Sequence, residues 1–467
     1  MPRNWCFLCR TRTLEVILMV SKRAYSRVKV KSVDVDQLIA KAKDVAQISL
    51  GLDIGKLEIV ACLRWSQGQF ERPWSVNNPF EINALVDLCV ETNKVVKVVV
   101  AMESTGTYGD AVRRALTVAK IPVMRVAGKH VSDYTEIFDG VPSQHDGKDA
   151  AMIAELSAIG KGASWNYIPD PEALAHVRYH VRSIDHVKNE FVRLIGKLEA
   201  SVARHWPELT REIELSTPTA LKLLATYGSP AEAAKNSELK TQLRRWGPKF
   251  NPGKIDRIVD AACSSSGIPM DSYEMLWMKD LATHAVEANR KVLRFAKGIE
   301  EILLKDTFWC NYVKAVGAGT LGVLLTTVGD PRNYPNAGSL LKALGLNLKE
   351  RSSGARIGEK AITKRGSAQA RRWLYFWALR AVQQPALKDW YFRFHATQPG
   401  QLRRDHRKMK GLICLMRKLV RSLRRSVCDG VAFDYQKVTD QHKTAPRRRR
   451  RTKKEPVANF PAEKTTE

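Results

Sequence analysis

An α/β domain, then a helical coiled-coil spacer, then a mainly helical C-terminal domain is the fold this sequence predicts. Three observations predict it. Short apolar runs separated by turns follow residue 47, apolar residues recur at steps of three and four after Leu174, and glycine-punctuated helical sequence continues beyond residue 310. The chain has 467 residues, room for three domains of about 150 residues each. Apolar residues make up 44% of it and charged residues 27%, which excludes a wholly disordered or fibrous chain.

The elements follow in order. Residues 1–46 are basic with little periodicity and read as an N-terminal extension. Residues 48–55, 57–63 and 69–76 are strand-like runs with turns between them, the spacing of an antiparallel meander. Helical periodicity over 79–92 precedes the valine-rich strand 95–102, too uniformly apolar to face water on either side. Helix 109–119, strand 121–126 and helix 148–159 complete a domain over 47–168. A meander followed by alternating helices and parallel strands is the order of a ribonuclease H-like (RuvC-like) fold.

From Leu174 the stripe Val177, Val181, Ile184, Val187, Phe191, Leu194 and Leu198 predicts a coiled-coil-like helix. A second long helix is expected over 271–305, pairing with the first as an antiparallel hairpin or with another subunit, and this helical region spans 169–309. Gly- and Pro-rich stretches near 228, 247 and 264 predict short helices between the two. A compact region over 310–400, a basic helix within 401–434 and a disordered basic tail over 435–467 follow, the tail carrying Arg447 to Arg451.

Lysine and arginine number 77 against 48 acidic residues, a net charge of +29. Such an excess repels itself unless a polyanion neutralises it, which makes nucleic acid the first expected partner and anionic membrane the second. No run of about 18 uncharged apolar residues exists, so no membrane span or signal segment is expected and the protein reads as cytoplasmic. Eight cysteines without a repeated spacing read as reduced thiols, and the lone pair Cys6 and Cys9 lacks the second pair a zinc site needs.

Four carboxylates fall where a ribonuclease H-like sheet needs them. Asp53 lies in the first strand, Glu103 at the C-terminal end of the valine strand, and Asp146 and Asp149 at the start of the last helix, three residues apart and on one face. Crowded carboxylates repel unless divalent cations neutralise them, and Mg²⁺ prefers such hard oxygen ligands. Two ions about 4 Å apart would bracket a scissile phosphate. Any one of the four alone reads as a helix cap or a turn, and it is the four together at matching topological positions that point to a metal site.

Ser352 and Ser353 precede Gly354 and a set of cations that includes Arg356, Lys364 and Arg365. That pattern fits a flexible phosphate-binding loop, and it also fits a serine attacking phosphorus while the cations steady the transferring phosphoryl. Gly317 and Gly319 open an apolar helical run and fit either a helix-hairpin-helix phosphate site or a plain helix turn. Trp373, Phe376, Trp377 and Arg380 form a helical stripe of the kind that is usually core and sometimes stacks on bases.

Two motif sets in order carry a resemblance. Leu52-Asp53-Ile54-Gly55, then Met102-Glu103-Ser104-Thr105-Gly106, then His145-Asp146-Gly147-Lys148-Asp149-Ala150 resemble the RuvC-like DEDD domain of bacterial insertion-sequence transposases of the "one-ten" type. Residues 313–380, with Ser-Ser-Gly, Ile-Thr-Lys-Arg-Gly and Arg371-Arg372, are similar to that family's C-terminal transposase domain. The resemblance covers about residues 48–430. It implies a DNA recombinase of an insertion sequence, guided by a structured RNA from its own element. It also implies an oligomer, dimer or tetramer, on nucleoid DNA, and a site in which a C-terminal serine joins the four carboxylates and bonds covalently to DNA. The nucleic-acid contacts expected from these residues and motifs together are Gly317, Gly319, Arg356, Lys364, Arg365, Arg371 and Arg372. His145 replaces the family's threonine at a position not expected to be a ligand. Counting twelve residues back from Lys364 gives Ser352, the spacing of the family serine, with Ser353 the alternative next to Gly354. Two other readings are a RuvC-type junction endonuclease using water and a non-catalytic nucleic-acid scaffold.

Overall fold

The computed structural model describes residues 27–42, 45–104, 106–139, 145–353, 356–396 and 404–440. They fall into two compact units, 1–169 and 170–467. The first unit contains β1 (Val28–Lys29), α1 (Val35–Ala42), β2 (Gln47–Ile54), β3 (Glu58–Arg64), β4 (Trp74–Asn77), α2 (Ile82–Asn93) and β5 (Lys97–Glu103). It continues with α3 (Asp110–Val118), β6 (Val123–Val126), α4 (Gly128–Asp139), α5 (Asp146–Ala158) and β7 (Ala163–Ser164).

These strands form one mixed sheet in the order β1-β4-β3-β2-β5-β6-β7. β2, β3 and β4 are the antiparallel meander, and β5 and β6 continue parallel to β2, an arrangement compatible with a DEDD nuclease-like fold. Leu50, Leu52, Val100 and Met102 bury one face of the sheet under α2 and α3, where Leu85 and Val112 meet them. On the opposite face Ala101 and Val126 pack against Met152 and Ile153 of α5. Burial on both faces is why β2 and β5 read as near-continuous apolar runs.

Residues 28–42 correct the expectation of a bare extension. β1 pairs parallel with β4, Val28 opposite Trp74, and Val30, Leu38 and Ala42 are buried in the sheet's core. A two-residue strand and an eight-residue helix are too short for hydrophobic periodicity to register. The helix α4, absent from the expected elements, escaped because its sequence is mostly polar.

Gly51 sets how closely α5 approaches the sheet. A Cβ there would stand 2.0 Å from the Ala150 carbonyl oxygen and 2.5 Å from the Ala154 nitrogen, both rigid helix backbone. Gly51→Ala must therefore push α5 away, costing about 1–3 kcal/mol by overpacking and moving Asp146 and Asp149 with the helix. A lowered chemical-denaturation midpoint checks this expectation. An unchanged midpoint would show that the helix is not held in that close contact.

The second unit is mostly helical. It is framed by two 34-residue helices, α6 (Glu172–His205) and α12 (Ser272–Lys305). They run antiparallel, since Tyr179 packs against Phe295 near one end and Lys197 lies over Trp277 near the other. Between them come α7 (Leu209–Glu212), α8 (Pro218–Tyr227), α9 (Pro230–Lys235), α10 (Leu239–Trp246) and α11 (Pro252–Cys263). α8, α9 and α11 each begin with proline behind a capping side chain, Thr217, Ser229 and Asn251, which accepts from a backbone N–H two residues past the proline. Asp271 and Glu274 form a reciprocal capping box that starts α12 where the sequence places it.

Beyond α12 lie α13 (Cys310–Val316), α14 (Ala318–Thr327), α15 (Ala337–Ala343), β8 (Leu348–Ser353) and β9 (Arg356–Ile362). The chain then forms α16 (Ala368–Ala381), α17 (Pro385–Ala396), α18 (Arg404–Asp429) and α19 (Lys437–Asp440). The stripe expected as a coiled-coil seam is divided between two cores. Val177, Val181 and Ile184 join Ile299, Leu324, Trp377 and Leu419 at one end of the hairpin, while Leu198 and Val202 join Leu221, Ile258 and Leu281 at the other. Among the described residues no single helix is long and apolar enough to cross a membrane.

Candidate active site

β2 and β5 are adjacent parallel strands with Leu52 paired to Met102, so the next residues, Asp53 and Glu103, emerge side by side at their C-terminal ends. Both lie on the face that α5 covers, opposite the buried Leu52 and Met102. α5 begins at Asp146 behind its N-cap His145, whose Nδ1 accepts from the Gly147 N–H at 3.2 Å. Asp146 and Asp149 are thereby in the first turn, where helix N-terminal N–H groups favour negative charge.

The four carboxylates feel one another. Asp53 is pushed up to about 6, first by burial and then by the charges of Asp146, Asp149 and Glu103, with a backbone hydrogen bond at Ile54 opposing. Burial and Asp149 raise Glu103, and burial and Asp146 raise Asp149. Glu103 rests on Gly128, the first residue of α4, where a Cβ would stand 1.9 Å from its Oε1. Among the described residues no three acidic, histidine or cysteine side chains converge on a single point. The set is a group of mutually repelling hard donors that do not close into a cage among the described residues.

Two cations at this site were not among the expected residues. Lys148 is 1% exposed between the two aspartates, and its charge, together with that of His145, lowers Asp149 against the larger effects of burial and Asp146. Arg27, the residue before β1, donates from one guanidinium nitrogen to Asp146 at 2.5 Å and from another to Glu58 on β3. Its only sequence signal was membership of a basic segment. Lys148 stands inside the Asp-Gly-Lys-Asp motif itself, so its place was readable there.

The serine segment is a hairpin rather than the loop that one reading of its sequence expected. Ser352 and Ser353 end β8 and Arg356 begins β9, with Ser353 paired to Arg356 and the register slipping between Arg351 and Ser353. Lys364 and Arg365 follow in an exposed connection, and Lys364 takes a left-handed conformation, φ +57°, while its N–H bonds the Gly345 carbonyl. Arg371 is engaged structurally, donating to the carbonyls of Leu344 and Gly366. Arg372 is exposed, and its charge lowers Lys188 on α6 after burial, the larger cause.

Gly317, at φ +87°, forms the turn between α13 and α14, and Gly319 is the second residue of α14. The turn is packed from outside: Arg380 donates to the Val316 carbonyl and Thr320 Oγ1, and the Trp373 ring lies where a Cβ on Gly319 would be. Trp377 is buried and donates to the Ala315 carbonyl, so this part of the aromatic stripe is core. Phe376 is left 38% exposed.

Comparison with known proteins covers the stretches that carry both sets of residues. A family model for a transposase DEDD domain of the IS110 kind matches residues 50–207, and one for the IS116/IS110/IS902 transposase family matches residues 311–391. The chain is 25% identical over 337 residues to the "Insertion element IS110 uncharacterized 43.6 kDa protein" of Streptomyces coelicolor, covering 68% of this chain and 80% of that one. A carboxylate-bearing sheet of this class, followed by this helical region, defines a DNA-recombining enzyme with a DEDD domain, a domain that suggests divalent-metal use. Within that class the chain belongs to the IS110-type insertion-sequence transposases.

Proposed function

We propose that this transposase cuts and rejoins DNA with Asp53, Glu103, Asp146 and Asp149 as ligands for Mg²⁺ and with Ser352 as the nucleophile that links to DNA. The observation that carries the first part is the convergence of Asp53 and Glu103, at the ends of adjacent paired strands, with Asp146 and Asp149 in the first turn of α5, where burial first and the neighbouring carboxylates second push Asp53 up to about 6. Hard, partly exposed oxygen donors that repel one another fit a divalent cation by their chemistry. Bound there, two Mg²⁺ ions would supply positive charge to a scissile phosphate and its leaving oxygen.

The chain's own groups prepare that site. Gly51 lets α5 bring Asp146 and Asp149 to the strand ends, Gly128 leaves room for the Glu103 carboxylate, and Lys148 limits the negative charge around Asp149. Arg27 holds Asp146 to Glu58, so a cation reaching Asp146 competes with that guanidinium.

For the serine, support comes from its place at the end of β8, where the backbone register slips between Arg351 and Ser353 and Ser353 pairs with Arg356. Its hydroxyl would attack phosphorus, form an O–P bond and release a DNA 3′ or 5′ oxygen, with Lys364 and Arg356 holding the phosphate. A structured RNA from the element would choose the DNA, and an oligomer on DNA would carry out the exchange. Trapping DNA-linked protein under denaturing conditions tests the reading. Metal-dependent cleavage with no linked protein would favour the junction-endonuclease alternative.

The basic tail supplies a further check, although residues 441–467 lie outside the described residues. If residues 440–454 only contact phosphates, deleting them weakens binding to every duplex sequence and flattens the plot of log affinity against log salt by about 0.9 per lost contact. An unchanged slope would assign the tail to another partner.

A further inference from the structure

Between α6 and α12, lined by none of the residues assigned above, lies a groove of about 610 Å³. Tyr179, Arg182 and His186 line one bank at helical steps of three and four, and Lys291, Arg294 and Phe295 line the other. Arg182, Lys291 and Arg294 are exposed and form no ion pair among the described residues. Asp170, the one carboxylate in the wall, is already held by Arg178 at 2.6 and 3.1 Å. Tyr179 is 61% exposed, yet its ring is fixed edge-on against Phe295 with centroids 6.1 Å apart. The Arg294 guanidinium lies 5.4 Å from the centre of the same Phe295 ring.

We propose that this groove binds an unpaired strand of DNA, with phosphates on Arg182, Lys291 and Arg294 and one base stacked on Tyr179. Uncompensated cations on two facing banks suit a chain of phosphates, and a fixed aromatic face between them suits a base. A base in a duplex reaches that ring only after unpairing and unstacking, a cost an unpaired strand does not carry, which is why the ligand is a single strand. An acidic peptide would satisfy the cations but leave the aromatic face unused. The choice of DNA rests on the transposase reading above, while the site itself rests on the groove.

The test uses the full chain without added metal and follows the fluorescence anisotropy of a labelled oligodeoxynucleotide, its duplex and the RNA of the same sequence. Tyr179→Ala should weaken single-stranded DNA binding by about tenfold and leave duplex binding unchanged, while Tyr179→Phe restores the affinity. The triple variant Arg182→Ala, Lys291→Ala, Arg294→Ala should lower the salt slope on single strands by about 2, at about 0.7 per contact. A control triple, Arg244→Ala, Arg245→Ala, Lys249→Ala, removes the same charge from exposed positions on and after α10 and should change the slope far less. Equal effects of the two triples, or no effect of Tyr179→Ala on single-stranded DNA, would overturn the proposal. Loss confined to RNA would overturn the DNA assignment. Because no step in the assay needs metal or cleavage, failure here leaves the carboxylate reading intact, and failure of that reading leaves this result standing.

Discussion

Asp53→Asn is expected to lower DNA strand cleavage by more than about a hundredfold, since losing even an outer partner of a metal ligand costs about 10- to 100-fold, while making the cation-free protein more stable. The amide keeps the shape of the side chain and removes its charge. Asp53 titrates near 6 in the fold against 3.8 for an unperturbed group. The folded protein therefore holds this proton more tightly than the unfolded chain does. Its unfavourable contribution is absent below pH 3.8, grows as pH rises from 3.8 towards 6, and is complete above that. Asparagine carries no such penalty. For a half-exposed carboxylate screened by solvent, the gain in unfolding free energy at pH 7–8 is on the order of 1 kcal/mol. Denaturant unfolding in EDTA at pH 5 and pH 8 measures it, and the stability advantage of the variant should be larger at pH 8. Glu103→Gln should follow the same direction, because burial and Asp149 raise Glu103 as well. Full cleavage activity by both amide variants in Mg²⁺ would remove these residues from the reaction.

Ser352→Ala is expected to abolish the covalent protein–DNA adduct while leaving DNA affinity and metal-dependent stabilisation at parental levels. Removing a nucleophile removes the bond-forming atom and little binding energy, so the loss should appear in adduct yield after denaturation and not in a binding isotherm. Ser353→Ala separates the two candidates. If that variant loses the adduct and Ser352→Ala keeps it, the nucleophile is the serine paired with Arg356. If the single variants and the double variant all recombine normally, water or a DNA hydroxyl is the nucleophile.

The sheet and its acidic residues were legible for one shared reason. Strands buried on both faces must be apolar throughout, so Asp53 after Leu50 and Leu52, and Glu103 after the valines, stand out at the strand ends. Asp146 and Asp149 were legible because a helix start tolerates acids and their spacing keeps them on one face. Arg27 was not, because its role depends on β1 pairing with β4 across more than forty residues, which no local pattern encodes. The two halves of the hairpin also look alike in sequence, since a three-and-four stripe reports that a face is buried and not which helices bury it. For the serines the glycine and cations suggested a loop, whereas Lys349 to Arg351 pair across to Glu359 to Ala361 and build a hairpin. Alternation is weak in that charged stretch, so its strand character was hidden.

The most direct test is the thermal melting of the full chain with and without Mg²⁺ or Mn²⁺, compared with the double variant Asp53→Asn, Glu103→Gln. A ligand that binds only the folded state raises Tm. At pH 8 the cation should raise the parent's Tm and leave the double variant's unchanged, and the parent's response should fade below about pH 6, where protons compete for Asp53. An equal rise in both proteins, or no rise in the parent at pH 8, would contradict a divalent-cation site built on these carboxylates.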